Sequence, residues 1–140
     1  MECEPSSRGP VMLKTGILNP AINSLLSRVR HCNTLVIADR GFPFWPQIET
    51  VDISLVDDIP QVLDVLAAIK TNFSIGRVFA AQEFVAENSP AVISDLENAL
   101  LGIPITFEPH DELKKRVPGA IGLIRTGDTT QYSNLILESA

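Results

Sequence analysis

Five polar side chains stand where chemistry is possible: His31, Asp39, His110, Tyr132 and Asn134. Each lies at the end of an apolar run or in a loop beside one. An imidazole with an ordinary pKa near neutrality can give or take a proton, and a carboxylate can accept one. A phenol and a carboxamide supply paired donors and acceptors for hydroxyl groups. No serine, cysteine or lysine has the neighbours that would activate a nucleophile. The inventory suits proton transfer on a polyhydroxylated ligand.

The elements that must position these groups follow from hydrophobic periodicity. Asn19-Pro20 is a helix start, and Ile22, Leu25, Leu26 and Val29 continue one apolar face to about Arg30. His31 closes that helix. The run Leu35-Val36-Ile37-Ala38 reads as a buried strand that delivers Asp39 to the rim of a sheet, where ligands of open α/β sheets gather. On local context alone, a turn or cap aspartate is the stronger reading of Asp39. The following Arg40-Gly41-Phe42-Pro43-Phe44-Trp45-Pro46 is an irregular, aromatic loop whose Phe42, Phe44 and Trp45 could line a pocket or stack on a sugar face, with contact to the domain or another subunit the more strongly weighted use.

Further along, Thr50–Leu55 reads as a strand, and Asp57-Asp58-Ile59-Pro60 as the entrance to a helix bearing Val62, Val65, Leu66 and Ile69 inward. Arg77–Ala81 is a strand with Glu83 just past its end, a weaker site candidate than Asp39. Asn88-Ser89-Pro90 opens a helix that Gly102 ends. Ile103–Phe107 is a short strand that turns through Pro109 into the helix HDELKKRV, so His110 is placed as Asp39 is. Ala120–Arg125 and Asn134–Leu137 are strands joined by a polar loop. About six strands alternating with four helices predict a single three-layer α/β/α domain with a mostly parallel sheet.

Composition narrows the function classes. A net charge of -6 argues against a nucleic-acid partner, and no apolar run reaches the length of a membrane span. Two cysteines, Cys3 and Cys32, form no CxxC pattern, which fits reduced thiols in the cytoplasm. Residues 1–11 read as a disordered leader or a misassigned start ahead of Met12, with the domain over 12–140. GxGxxG, GxxxxGK[ST] and GxSxG motifs are absent, and the histidines lie too far apart for a local metal-ligand pair. No metal or cofactor is expected.

One ordered set of motifs is specific: LKTGILNPAINSLLSRVRH, HCNTLVIADRGFP, DISLVDDIPQVLDVL, FEPHDELK and IRTGDTTQYSNLIL. In this order, over nearly all the chain from Met12, they resemble the D-ribose pyranase and fucose mutarotase family, closest to its ribose pyranase branch. The resemblance implies a cofactor-free catalyst that interconverts cyclic forms of a free sugar. It implies His31 as proton donor, with Asp39, His110, Tyr132, Ser133 and Asn134 binding the sugar. It also implies a ring-shaped homo-oligomer, commonly a decamer, with sites shared between subunits. Arg40 and the bulky Phe44-Trp45 pair depart from the family pattern and bear on substrate preference.

A fucose-type mutarotase, a non-enzymatic sugar-binding accessory of an uptake system and an α/β interaction module are the competing readings. One geometric expectation is sharp. Seven extended residues between His31 and Asp39 would hold their Cα atoms more than about 20 Å apart, so a sugar meets both only across subunits or after a chain reversal.

Overall fold

In the computed structural model, which describes residues 16–140, local signals account for most element boundaries. Helix α1 (Pro20–Ser27) starts where Asn19 Oδ1 accepts from the Ile22 N–H at 3.0 Å, with Pro20 in the first position. It stops three residues short of the expected Arg30. Asn33 Oδ1 captures the Arg30 N–H at 2.9 Å, so a turn replaces the last helical residues. Strand β1 (Thr34–Ala38) follows, fully buried from Leu35 onward.

Strand β2 (Glu49–Asp52) is shorter than the expected Thr50–Leu55. The Asp52 carboxylate accepts from the backbone and hydroxyl of Ser54, an Asx turn that ends the ladder, and Leu55, Val56 and Ile59 stand exposed in the hairpin beyond. Helix α2 (Val62–Lys70) begins after Gln61, not at Pro60, because the Gln61 N–H donates to Asp64 Oδ2 at 2.8 Å. The buried Asp128 adds an acceptor for the Val62 N–H at 2.9 Å.

After β3 (Ile75–Ala81) comes a helix that periodicity missed, α3 (Gln82–Glu87). It is under two turns long and buries only Phe84, too little for a periodic signal. Helix α4 (Pro90–Ala99) has the expected Ser89 cap, and β4 (Ile105–Glu108) leads through Pro109 into α5 (His110–Arg116). Strands β5 (Gly122–Arg125) and β6 (Leu135–Ser139) complete a six-stranded sheet of order β2-β5-β1-β6-β3-β4.

The pairs β2/β5, β5/β1 and β3/β4 are parallel, whereas β6 runs antiparallel to both β1 and β3. The sheet is therefore mostly parallel, with one reversed strand at its centre. That reversal matters for the site. The entry of β6 lies at the rim where β1, β3 and β4 exit, and its exit lies at the opposite rim.

Two apolar clusters cover the sheet. Ile22, Leu25, Val65, Leu66, Ile69, Leu96 and Leu100 from α1, α2 and α4 pack one face. On the other, Phe42, Leu113 and Val117 meet Val36, Phe79, Leu123 and Ile136, with Trp45 and Ile48 alongside. This is the expected α/β/α sandwich, with the aromatic loop sharing the second outer layer with α5. The leader expected over residues 1–11 lies outside the described residues. No helix among the described residues is long and apolar enough to cross a membrane.

Candidate functional site

Asp39 is the first residue beyond β1, and its surroundings are built by the antiparallel β6. Asn134, the residue that leads into β6, accepts from the Asp39 N–H through Oδ1 at 2.8 Å and donates through Nδ2 to Asp39 Oδ2 at 3.2 Å. Asp39 Oδ1 also accepts from the Gly41 N–H at 3.1 Å. Burial pushes the Asp39 carboxyl above its ordinary 3.8, and nearby Asp128 adds to the rise, while the bonds from Asn134 and Gly41 pull the other way. The result is a carboxylate held in one orientation and only partly solvated.

The support behind it is polar and buried. Thr126 donates its hydroxyl to the Ala38 carbonyl at 2.8 Å, and the Arg40 N–H donates to the Asp128 carbonyl at 3.0 Å. The Arg125 guanidinium reaches the carbonyls of Arg40 at 3.0 Å and Pro43 at 3.3 Å, which ties the irregular 39–43 loop to the end of β5. Arg40 itself turns from the pocket to pair with Asp57.

His110 opens α5 at the end of β4. Its ring stands edge-on between Phe42, 6.0 Å away, and Tyr132, 5.1 Å away. Nδ1 is buried with no hydrogen-bond partner, which leaves Nε2 as the ring nitrogen available to a ligand. Tyr132 is in the left-handed region at φ 56°, a conformation that costs a non-glycine residue roughly 1 kcal/mol or more. The 130–134 turn is thereby bent so that Tyr132 and Asn134 face one side.

Asp39, His110, Tyr132 and Asn134 line one open pocket of about 350 Å³, together with Gly41, Phe42, Pro43 and Gln131. Two predicted residues are not in it. Ser133 is buried and lines a separate cavity with Gln61, Phe84, Asp95 and Asp128, because neighbouring residues of the turn face opposite ways. His31 is exposed in the turn before β1, at the opposite rim, where the next residue Cys32 donates its N–H to the Ser139 carbonyl. Cys32 also has a positive φ, 65°. Within one chain β1 separates His31 from the pocket.

Phe42 is both core and pocket wall, so the aromatic loop serves both of its expected uses, although packing is the more strongly weighted of the two. Periodicity assigns Gln131, Asp128 and Arg125 no part in the site, although an Asp-Thr-Thr run after a strand is an Asx-turn signal and an arginine ending an apolar strand is a rim signal. Among the described residues no group of three or more His, Cys, Asp or Glu side chains is placed to hold a metal ion.

An open pocket on the carboxyl rim of this sheet, beside a reversed central strand, sets the chain among three-layer α/β proteins of a particular topology. Comparison with known proteins resolves the class. Residues 12–140 match the RbsD / FucU transport protein family, and the chain belongs to it. It is 37% identical over 128 residues to a D-ribose pyranase of Geobacillus kaustophilus, covering 91% of this chain and 93% of that protein. A D-ribose pyranase of Limosilactobacillus reuteri is 33% identical, with 91% and 97% covered. Among solved structures, Bacillus subtilis RbsD complexed with D-ribose superposes with a TM-score of 0.86 at 33% identity, covering 92% of this chain and 98% of that one. The fucose mutarotase of Streptococcus pneumoniae, in complex with L-fucose, shares the fold with a TM-score of 0.75 at 17% identity, over 88% and 93% of the two chains.

Proposed function

We propose that this protein is a mutarotase of the D-ribose pyranase type, an isomerase that interconverts cyclic forms of free D-ribose. The observation that carries the reading is the Asp39–Asn134 pair beside His110 Nε2 and Tyr132, in a chain 37% identical to a named D-ribose pyranase. Ring opening of a hemiacetal needs one proton delivered to the ring oxygen and one taken from the anomeric hydroxyl. Asp39, with both oxygens already oriented, accepts sugar hydroxyls, while His110 Nε2, Tyr132 and Asn134 fix the ring.

His31 is the proton carrier in this reading. Its exposed position on the far rim fits a site completed by a neighbouring subunit, which presents its own His31 to the pocket of the next chain. A closed ring of identical head-to-tail contacts, of the decameric kind, is the assembly that supplies this. The exposed Leu55, Val56, Ile59 and Phe44 offer apolar surface for such contacts. The working compartment is the cytoplasm.

The test is saturation-transfer NMR on a panel of free sugars. Acceleration of pyranose–furanose exchange for D-ribose, with less for L-fucose, is expected; uncatalysed rates throughout would reject the enzyme. The family's transport description keeps a second reading, a sugar-binding accessory of uptake, which the same spectra would show as ribose binding without faster exchange.

A further inference from the structure

Helix α5 begins directly after Pro109, a residue with no side-chain oxygen to cap it. The acids of its first turn are engaged elsewhere, Asp111 with Lys114 at 3.4 Å and Glu112 with Lys115 at 2.8 Å. The acceptor for its first N–H comes from another helix. Glu83, in the first turn of α3, receives the His110 N–H on both carboxylate oxygens, at 3.1 and 3.0 Å.

This contact exists because β3 and β4 are parallel neighbours, with Ala81 opposite Glu108, so both strands release their helices at the same rim. The His110 ring makes no hydrogen bond to any described residue. Its placement therefore rests on the aromatic edges of Phe42 and Tyr132 and on the backbone from which it hangs. The side chain that ties that backbone is Glu83.

We propose that Glu83 is a positioning residue: it fixes the start of α5 so that His110 Nε2 meets the sugar, an inference that rests on the sugar-binding reading of the pocket. Glu83 is absent from the pocket lining. Its carboxylate also meets the positive end of the α5 dipole, so charge and geometry act together.

The test compares Glu83→Gln, which retains an acceptor at the same reach, with Glu83→Asp and Glu83→Ala, which withdraw it. For D-ribose exchange, the Asp and Ala variants should raise KM about tenfold with kcat within about twofold, while Gln stays within about threefold of wild type. The His110 ring resonances should move in the Asp and Ala variants while those of His31 stay. If Glu83→Ala does not fold, Glu83→Asp carries the comparison. Folded variants with lowered melting temperature but wild-type KM and unmoved His110 resonances would reduce Glu83 to a structural cap and overturn the proposal. Should the wild-type protein fail to accelerate ribose exchange, the sugar reading falls, and the His110 resonances alone decide whether Glu83 holds the ring.

Discussion

Asn134 grips Asp39 at two points, accepting from its backbone N–H at 2.8 Å and donating to its carboxylate at 3.2 Å across 95 residues of sequence. The pair joins the end of β1 to the start of β6 and sets the direction in which the carboxylate faces the pocket.

Replacing Asn134 with Leu keeps the branched outline of the side chain and removes both bonds. An unpaired N–H and a less supported, partly buried carboxylate should cost about 2 kcal/mol in chemical denaturation. Ribose exchange by NMR should fall about 100-fold, since the carboxylate loses its orientation. A variant as stable and active as wild type would show that the clamp is incidental.

The raised pKa of Asp39 has a pH signature. A carboxyl whose folded value lies above its unfolded value holds more protons in the native state, so its contribution to stability weakens as pH rises past 3.8 toward the folded value. Asp39→Asn removes the titration. Its melting temperature relative to wild type should climb across that window and then level off, while ribose exchange is lost. A relative melting temperature that declines with rising pH would contradict the assigned direction.

His31 is exposed and bonded to no described residue, so His31→Ala should alter stability by no more than about 0.5 kcal/mol yet abolish exchange. Mixing it with Asp39→Asn tests the shared site. If His31 and Asp39 act from different subunits, unfolding and reassembling the two inactive variants at equal ratio should restore about a quarter of the wild-type rate, because each productive site draws one residue from each parent. No recovery in mixed assemblies would place both residues of a site on one chain.

Gly127 has no room for a side chain: a Cβ there would run into the Val56 carbonyl oxygen and lie 3.0 Å from that of Ile59. Both obstacles are backbone. Gly127→Ala should push the 55–59 hairpin from the 126–129 loop, cost about 2 kcal/mol or more, and lower kcat/KM through the turn that bears Tyr132. Thermal melts and exchange kinetics on one preparation would check both effects.

The layers were legible because long amphipathic runs such as Val62–Ile69 and the uniformly apolar Leu35–Ala38 have one stable arrangement, helix faces covering a buried strand. Short elements were less so. α3 buries a single side chain, and β2 ends on a side-chain bond from Asp52 that competes with the ladder.

By itself, the sequence determined the polar inventory that the pocket holds: a carboxylate, a histidine, a phenol and a carboxamide, each placed at the end of an apolar element or in the loop beside one. Only the tertiary structure decided their grouping. The reversal of β6 brings Asn134 and Tyr132 to the rim of Asp39 and His110, and the same reversal carries Ser139 to the rim of His31. The turn before β6 sends Ser133 to the opposite side from its neighbours. Strand direction and turn handedness are settled by contacts among segments far apart in the chain, which residue type and local spacing do not encode.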